Sequence, residues 1–132
     1  YHFGLSWRLP AAFELSSQFL SGDTLMQSPF RTDVVNNDYK SAFIALSKRI
    51  KKHRLTIRLE EFSVTDNDLT IGDNNEEYGK SATLNYTYRL SKPVFLSLEY
   101  NWLDSHRPSR MYTEQAIDLT ERQWQLAARY FF

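Results

Sequence analysis

The amino-acid sequence predicts an all-β fold from three observations. Apolar and polar residues alternate with a period of two in seven segments, the pattern of strands with one apolar and one polar face. The segments are about nine to eleven residues long, which is the length of a strand that crosses a bilayer. Long polar connections alternate with short ones, as they do in membrane barrels. Together these features predict an antiparallel transmembrane β-barrel segment that occupies residues 1–132.

The alternation places seven strands along the chain. They are expected at residues 1–9, 13–20, 38–49, 55–64, 81–90, 94–102 and 122–132. The tight turns at 9–11, 50–53 and 90–93 would then lie on one side of the membrane, and the long loops at 21–37, 65–78 and 104–121 on the other. In the fourth strand the alternation slips by one position at Glu60 and Glu61, which predicts a β-bulge there.

The amino-acid composition excludes several classes of function. The chain has 16 basic and 16 acidic side chains, and this balance argues against a nucleic-acid partner, which requires a basic excess. It contains no cysteine, so thiolate chemistry and disulfides are excluded, and the pattern gives no reason to expect a cofactor. A tyrosine at position 1 predicts either a removed signal peptide or a longer parent chain.

The last strand carries a family resemblance. Trp124, Leu126, Ala128, Tyr130 and Phe132 share one face, and the chain ends Arg129-Tyr130-Phe131-Phe132. This ending resembles the C-terminal signature of bacterial outer-membrane β-barrel proteins, in which a terminal Phe is read by the barrel assembly machinery. The resemblance implies a location in the outer membrane of a Gram-negative bacterium, with lipid as a partner. The strand and loop style is similar to that of porin-like proteins.

The strand count indicates a larger assembly. Bacterial single-chain barrels have even strand numbers, and seven strands alone would leave two edges open in lipid. We therefore expect residues 1–132 to be the C-terminal part of a larger, even-stranded barrel. Association into a homo-oligomer or with a partner chain stays open.

Two sets of candidate functional residues follow from the strand register. The polar set would face a water-filled lumen and set its selectivity, and we expect two of its members, Glu14 and Glu99, on adjoining strands. Its residues are Arg8, Glu14, Arg58, Glu60, Arg89, Glu99 and Arg129. The aromatic set would form girdles at the membrane interfaces. Its residues are Trp7, Tyr86, Tyr88, Tyr100, Trp102, Trp124, Tyr130 and Phe132.

Other motifs admit alternatives. The acidic loop begins Asp66-Asn67-Asp68 and has Glu77 at its twelfth position, a partial match to a calcium loop that is more simply a solvated loop. Ser105 and His106 suggest a hydrolase pair, but neighbours in a loop do not make the oriented geometry that catalysis needs. The basic cluster around the turn at 50–53 could meet phosphates or a periplasmic partner.

The sequence as a whole favours a non-enzymatic channel. It predicts an outer-membrane porin for passive diffusion of small hydrophilic solutes, with an arginine bias that favours anions. One alternative is a structural barrel that acts as a sheath or anchor for a periplasmic or electron-transfer partner. Another is a soluble lipocalin-like barrel or β-sandwich with the apolar face inside.

Overall fold

The chain forms a single antiparallel sheet in the computed structural model, which describes residues 1–30, 33–68, 70, 72 and 74–132. Seven strands lie in the order β1 to β7, and each pairs with the next along the chain. Their bounds are β1 His2–Leu9, β2 Phe13–Gln27, β3 Asp33–Ile50, β4 His53–Asp66, β5 Glu77–Arg89, β6 Val94–His106 and β7 Asp118–Tyr130. The all-β antiparallel prediction is confirmed. Within the described residues the sheet is not closed, and β1 and β7 form its two edges.

The connections divide into short and long ones. Short turns follow β1, β3 and β5, and the first of them uses left-handed backbone at Ala11 and Ala12, with φ of 57° and 61°. Such positive φ values match the right-handed twist of the strands that a tight hairpin joins. At the other end of the sheet, the longer connection after β6 contains the 3₁₀ segment Pro108–Thr113. The sheet therefore has two ends, which we call the short-turn end and the long-loop end.

The strands extend further toward the long-loop end than the sequence predicts. The predicted loop at 21–37 is wrong over most of its length, because β2 and β3 stay paired from Ser21↔Lys40 to Met26↔Val35. Residues 31 and 32 of that loop lie outside the described residues. The loops at 65–78 and 104–121 are also shorter than predicted, since β5 begins at Glu77 and β6 continues to His106. Residues 69, 71 and 73 of the acidic loop are likewise outside the description.

The predicted bulge in β4 is wrong as well. From His53 to Val64 this strand pairs with both neighbours without a shift in register. Phe62 lies on the polar face of the sheet, directly opposite Gly79. A Cβ atom at Gly79 would stand 2.8 Å from Cζ of Phe62, so only glycine leaves room for this ring. The slip in alternation therefore marks an aromatic side chain on the polar face, with regular backbone.

The sheet has almost no interior. Ala45, 7% exposed, is the only buried hydrophobic residue among those described, whereas many large apolar side chains are exposed. Soluble domains bury the apolar face of a sheet against a second layer of strands or helices. This sheet has no second layer within the described residues.

No helix in the described part of the chain is long and apolar enough to cross a membrane.

Candidate functional site: the two faces of the sheet

The register of the strands separates the side chains onto two chemically different faces. Residues directly opposite each other on neighbouring strands point to the same side of a sheet. Pairing therefore links one unbroken row of apolar side chains across all seven strands: Trp7, Leu15, Leu46, Ile57, Leu84, Tyr100 and Trp124. The rows on either side are also mainly apolar. We call this surface the apolar face and the opposite one the polar face.

The apolar band crosses the strands obliquely. On β1 it ends at Leu9, and the row of cross-strand partners from Leu9 leads to Leu126 on β7. On β7, however, the apolar positions continue four residues further, to Tyr130. Residues rise by about 3.3 Å along a strand, and neighbouring strands are about 4.8 Å apart. A shift of four residues across the seven strands therefore means that the strands are tilted by roughly 25° from the perpendicular to the band. Strands in closed barrels are tilted by a larger angle, about 35–45°.

The predicted girdle residues of the strands all lie on the apolar face. Tyr100, Trp102 and Trp124 occupy the part of the band nearer the long-loop end. Trp7, Tyr86, Tyr88 and Tyr130 lie nearer the short-turn end. Phe132 follows β7, and its ring contacts Tyr130 edge-on at a centroid distance of 5.3 Å. Their placement fits two interfacial belts, and their role in a membrane stays a prediction.

Charged residues bound the apolar band at the long-loop end. On the apolar face, Glu61, Lys80 and Asp104 lie side by side on β4, β5 and β6. One row further out, His106 Nδ1 is 2.6 Å from an Asp118 carboxylate oxygen, and the imidazole stacks on Tyr78. The alternating charges mark the level at which this face changes from apolar to polar.

The seven predicted lumen residues lie together on the polar face. Among the described residues, members of this set form two ion pairs on this face. Arg54 Nη2 is 3.3 Å from Glu14 Oε2, and Arg58 Nη2 is 2.8 Å from Glu60 Oε2. The expectation that Glu14 and Glu99 lie on adjoining strands is wrong, because β3, β4 and β5 separate β2 from β6.

Hydrogen bonds connect the middle of the polar face. Glu99 accepts from Asn85 Nδ2 at 2.9 Å and from Asn101 Nδ2 at 3.0 Å. Thr83 Oγ1 donates to Asn101 Oδ1 at 2.8 Å. The Arg58 guanidinium lies 4.2 Å from the centre of the Phe43 ring. The hydrogen bonds link polar side chains of β5 and β6 on a half-exposed surface.

The basic residues at the short-turn end are arranged differently. Arg49, Arg54, Arg89 and Arg129 line a groove of about 670 Å³ on the polar face. The sequence predicts Arg89 and Arg129 as lumen residues, whereas Arg49 and Arg54 belong to the basic cluster around the turn at 50–53. Arg49 and Arg54 are direct cross-strand partners, and this pairing is the signal that would have added them to the predicted lumen residues.

At the long-loop end the connection after β6 folds back onto the polar face. Arg110 donates through Nη2 to Ser105 Oγ at 2.7 Å and through Nη1 to the backbone carbonyls of Ser105 and Ile117. The Arg110 guanidinium also lies 3.7 Å from Glu77. Ser105 is thus buried on the polar face, whereas His106 points to the apolar face. The hydrolase pairing therefore does not form, because its two members lie on opposite sides of the sheet.

The acidic loop uses its carboxylates to hold its own backbone. Asp66 accepts from the amides of Asp68 and Asn75, and Asp68 accepts from those of Asn36 and Thr70. Hydrogen bonds from Thr70, with smaller contributions from Asn36 and Asp66, lower the pKa of Asp68 below its ordinary value. Among the described residues, no group of three or more acidic, His or Cys side chains could hold a metal ion.

Comparison with known proteins found no match to this chain among protein-family models, curated proteins or solved structures.

Proposed function

We propose that this chain contributes strands to a transmembrane β-barrel of a bacterial outer membrane and that the barrel passes small hydrophilic solutes by diffusion. The observation that carries the proposal is the division of one sheet into a continuous apolar face and a continuous polar face. An uncovered apolar face of this extent is costly in water, whereas lipid removes that cost. A polar face lined by hydrogen-bonded charged groups is costly in lipid and stable beside water.

The geometry of the apolar band supports the lipid side of the proposal. Its oblique course is the one that tilted strands need if the band is to lie level in a bilayer. The aromatic side chains near both of its borders match interfacial belts, and the charged row of Glu61, Lys80 and Asp104 lies beyond it. The open edges at β1 and β7 would pair with further strands, from this chain or from a partner.

The polar face supports the channel side. Arg58, Glu60 and Glu99 stand in the middle of the wall, where they would meet passing solutes. Charged groups at these positions could select solutes by charge.

The proposal is tested by single-channel recording, in a planar bilayer, of the complete barrel that contains this chain, with reversal potentials measured in a salt gradient. We expect stable open steps. Glu99→Gln should move the reversal potential toward anion preference, because it removes a negative charge from the wall. The matched control is Glu114→Gln in the connection after β6. A folded protein that gives no conductance would contradict diffusion and would favour a barrel filled by a partner.

A further inference from the structure

Two departures from the alternating pattern meet at one place on the polar face. Phe95 in β6 and Phe131 just after β7 are apolar residues at positions of polar parity. The structure brings their rings together, with centroids 5.5 Å apart at an angle of 82°. Phe95 lies between Arg89 and Arg129, since it is the direct cross-strand partner of both. A small aromatic platform is therefore bracketed by two guanidinium groups.

The groove around this platform is strongly basic. It is lined by Arg49, Arg54, Arg89, Arg129, Lys51 and Lys52 together with the two phenylalanines, and none of the described residues that line it is acidic. Arg54 has an ion-pair partner in Glu14, but no acidic side chain within the described residues pairs with Arg49, Arg89 or Arg129. The whole chain is electrically balanced, so this is a local excess of positive charge.

Such a cluster attracts anions. Neighbouring like charges repel each other, and a bound anion relieves the repulsion. Guanidinium groups present planar pairs of donors that match a carboxylate. Inorganic phosphate or chloride would satisfy the charge, but it would not cover the rings of Phe95 and Phe131. An apolar group joined to the carboxylate would cover them.

We propose that the groove at the short-turn end binds organic carboxylates with an apolar, planar body. The carboxylate would lie between Arg89 and Arg129, and the apolar body would rest on Phe95 and Phe131. This site rests on the proposed function in one respect, namely that its face of the sheet meets water. It refines that function by naming the chemical class of solute that would be retained at one end of the passage.

The test is equilibrium binding of 4-fluorobenzoate to the complete barrel that contains this chain, in detergent micelles, followed by the ¹⁹F line width. We expect saturable broadening that is absent with empty micelles. The double variant Arg89→Gln/Arg129→Gln should weaken binding by at least about tenfold, because it removes both charge-assisted contacts. Phe95→Ser should weaken binding of 4-fluorobenzoate but leave binding of acetate, measured by competition, unchanged.

Matched controls separate a site from general charge attraction. Arg122 lies on the same strand as Arg129 but on the apolar face. The Arg122→Gln variant should therefore leave binding unchanged. Equal losses in Arg122→Gln and the double variant would overturn the inference, as would equal competition by phosphate and benzoate. Because binding is measured without conductance, the two proposals fail separately: a protein that conducts but does not bind refutes only the groove, and one that binds but does not conduct refutes only the channel.

Discussion

Substitution of Leu126 by lysine distinguishes a lipid-facing sheet from one in water. Leu126 lies within the apolar band of β7 and is 83% exposed. In water, replacing such an exposed leucine should change the free energy of unfolding by only about 0.5 kcal/mol, because little apolar surface is removed from solvent either way. In the middle of a bilayer, a lysine on the lipid face costs about 2–4 kcal/mol. The expected change in the free energy of unfolding is thus several-fold larger in lipid than in water.

The neighbouring residue supplies the control. Gln125 points to the polar face opposite Glu99, so Gln125→Lys places the same charge one position away beside water and near a carboxylate. We expect it to change stability by about 0.5 kcal/mol or less. The measurement is equilibrium unfolding by urea of the complete barrel that contains this chain, folded into phospholipid vesicles, with midpoints compared at constant slope. If Leu126→Lys and Gln125→Lys have equal small effects, the apolar face does not meet lipid.

Two further predictions concern the polar face and the acidic loop. Gly79→Ala should destabilise the protein by about 1–3 kcal/mol in the same unfolding assay, because its Cβ would stand 2.6 Å from the carbonyl oxygen of Asp104 and 2.8 Å from the Phe62 ring; an unchanged midpoint would refute this contact. Asp68 should titrate below its ordinary pKa of 3.8 in ¹³C NMR, and Thr70→Val should raise its pKa toward that value. Because the folded pKa is the lower one, the ordering that Asp68 gives the loop is present above pH 3.8 and is lost as the pH falls through the folded pKa; a titration midpoint above 3.8 would contradict it.

The sequence was informative wherever one face of a strand is apolar. The segments from Ala82 to Arg89 and from Leu96 to Trp102 could be assigned because their alternation is regular. The strand extensions at the long-loop end could not, since apolar residues such as Leu25 and Met26 are adjacent and do not alternate with polar ones, so periodicity carries no signal. There the backbone ladder simply continues, as between Gly22 and Tyr39, whose ring lies across the glycine.

The parts of the candidate site that depend on register were beyond the sequence. Phe95 and Phe131 stand out as exceptions in their own strands, but only the pairing of β6 with β7 places them in contact. The ion pair between Glu14 and Arg54 reaches across β3, from β2 to β4, and therefore requires two registers at once. The burial of Ser105 depends on Arg110, whose position is set by the fold of its connection.

The most direct test of the two-faced sheet is a scan of solvent and lipid access along β6. The chain has no cysteine, so single spin labels can be introduced at each position from Val94 to Trp102. In vesicles, we predict that the even positions are accessible to oxygen, which dissolves in lipid, and the odd positions to a water-soluble nickel chelate, with a period of two. Equal access of the chelate to Leu96, Leu98 and Tyr100 would contradict the central claim, because the apolar face would then meet water.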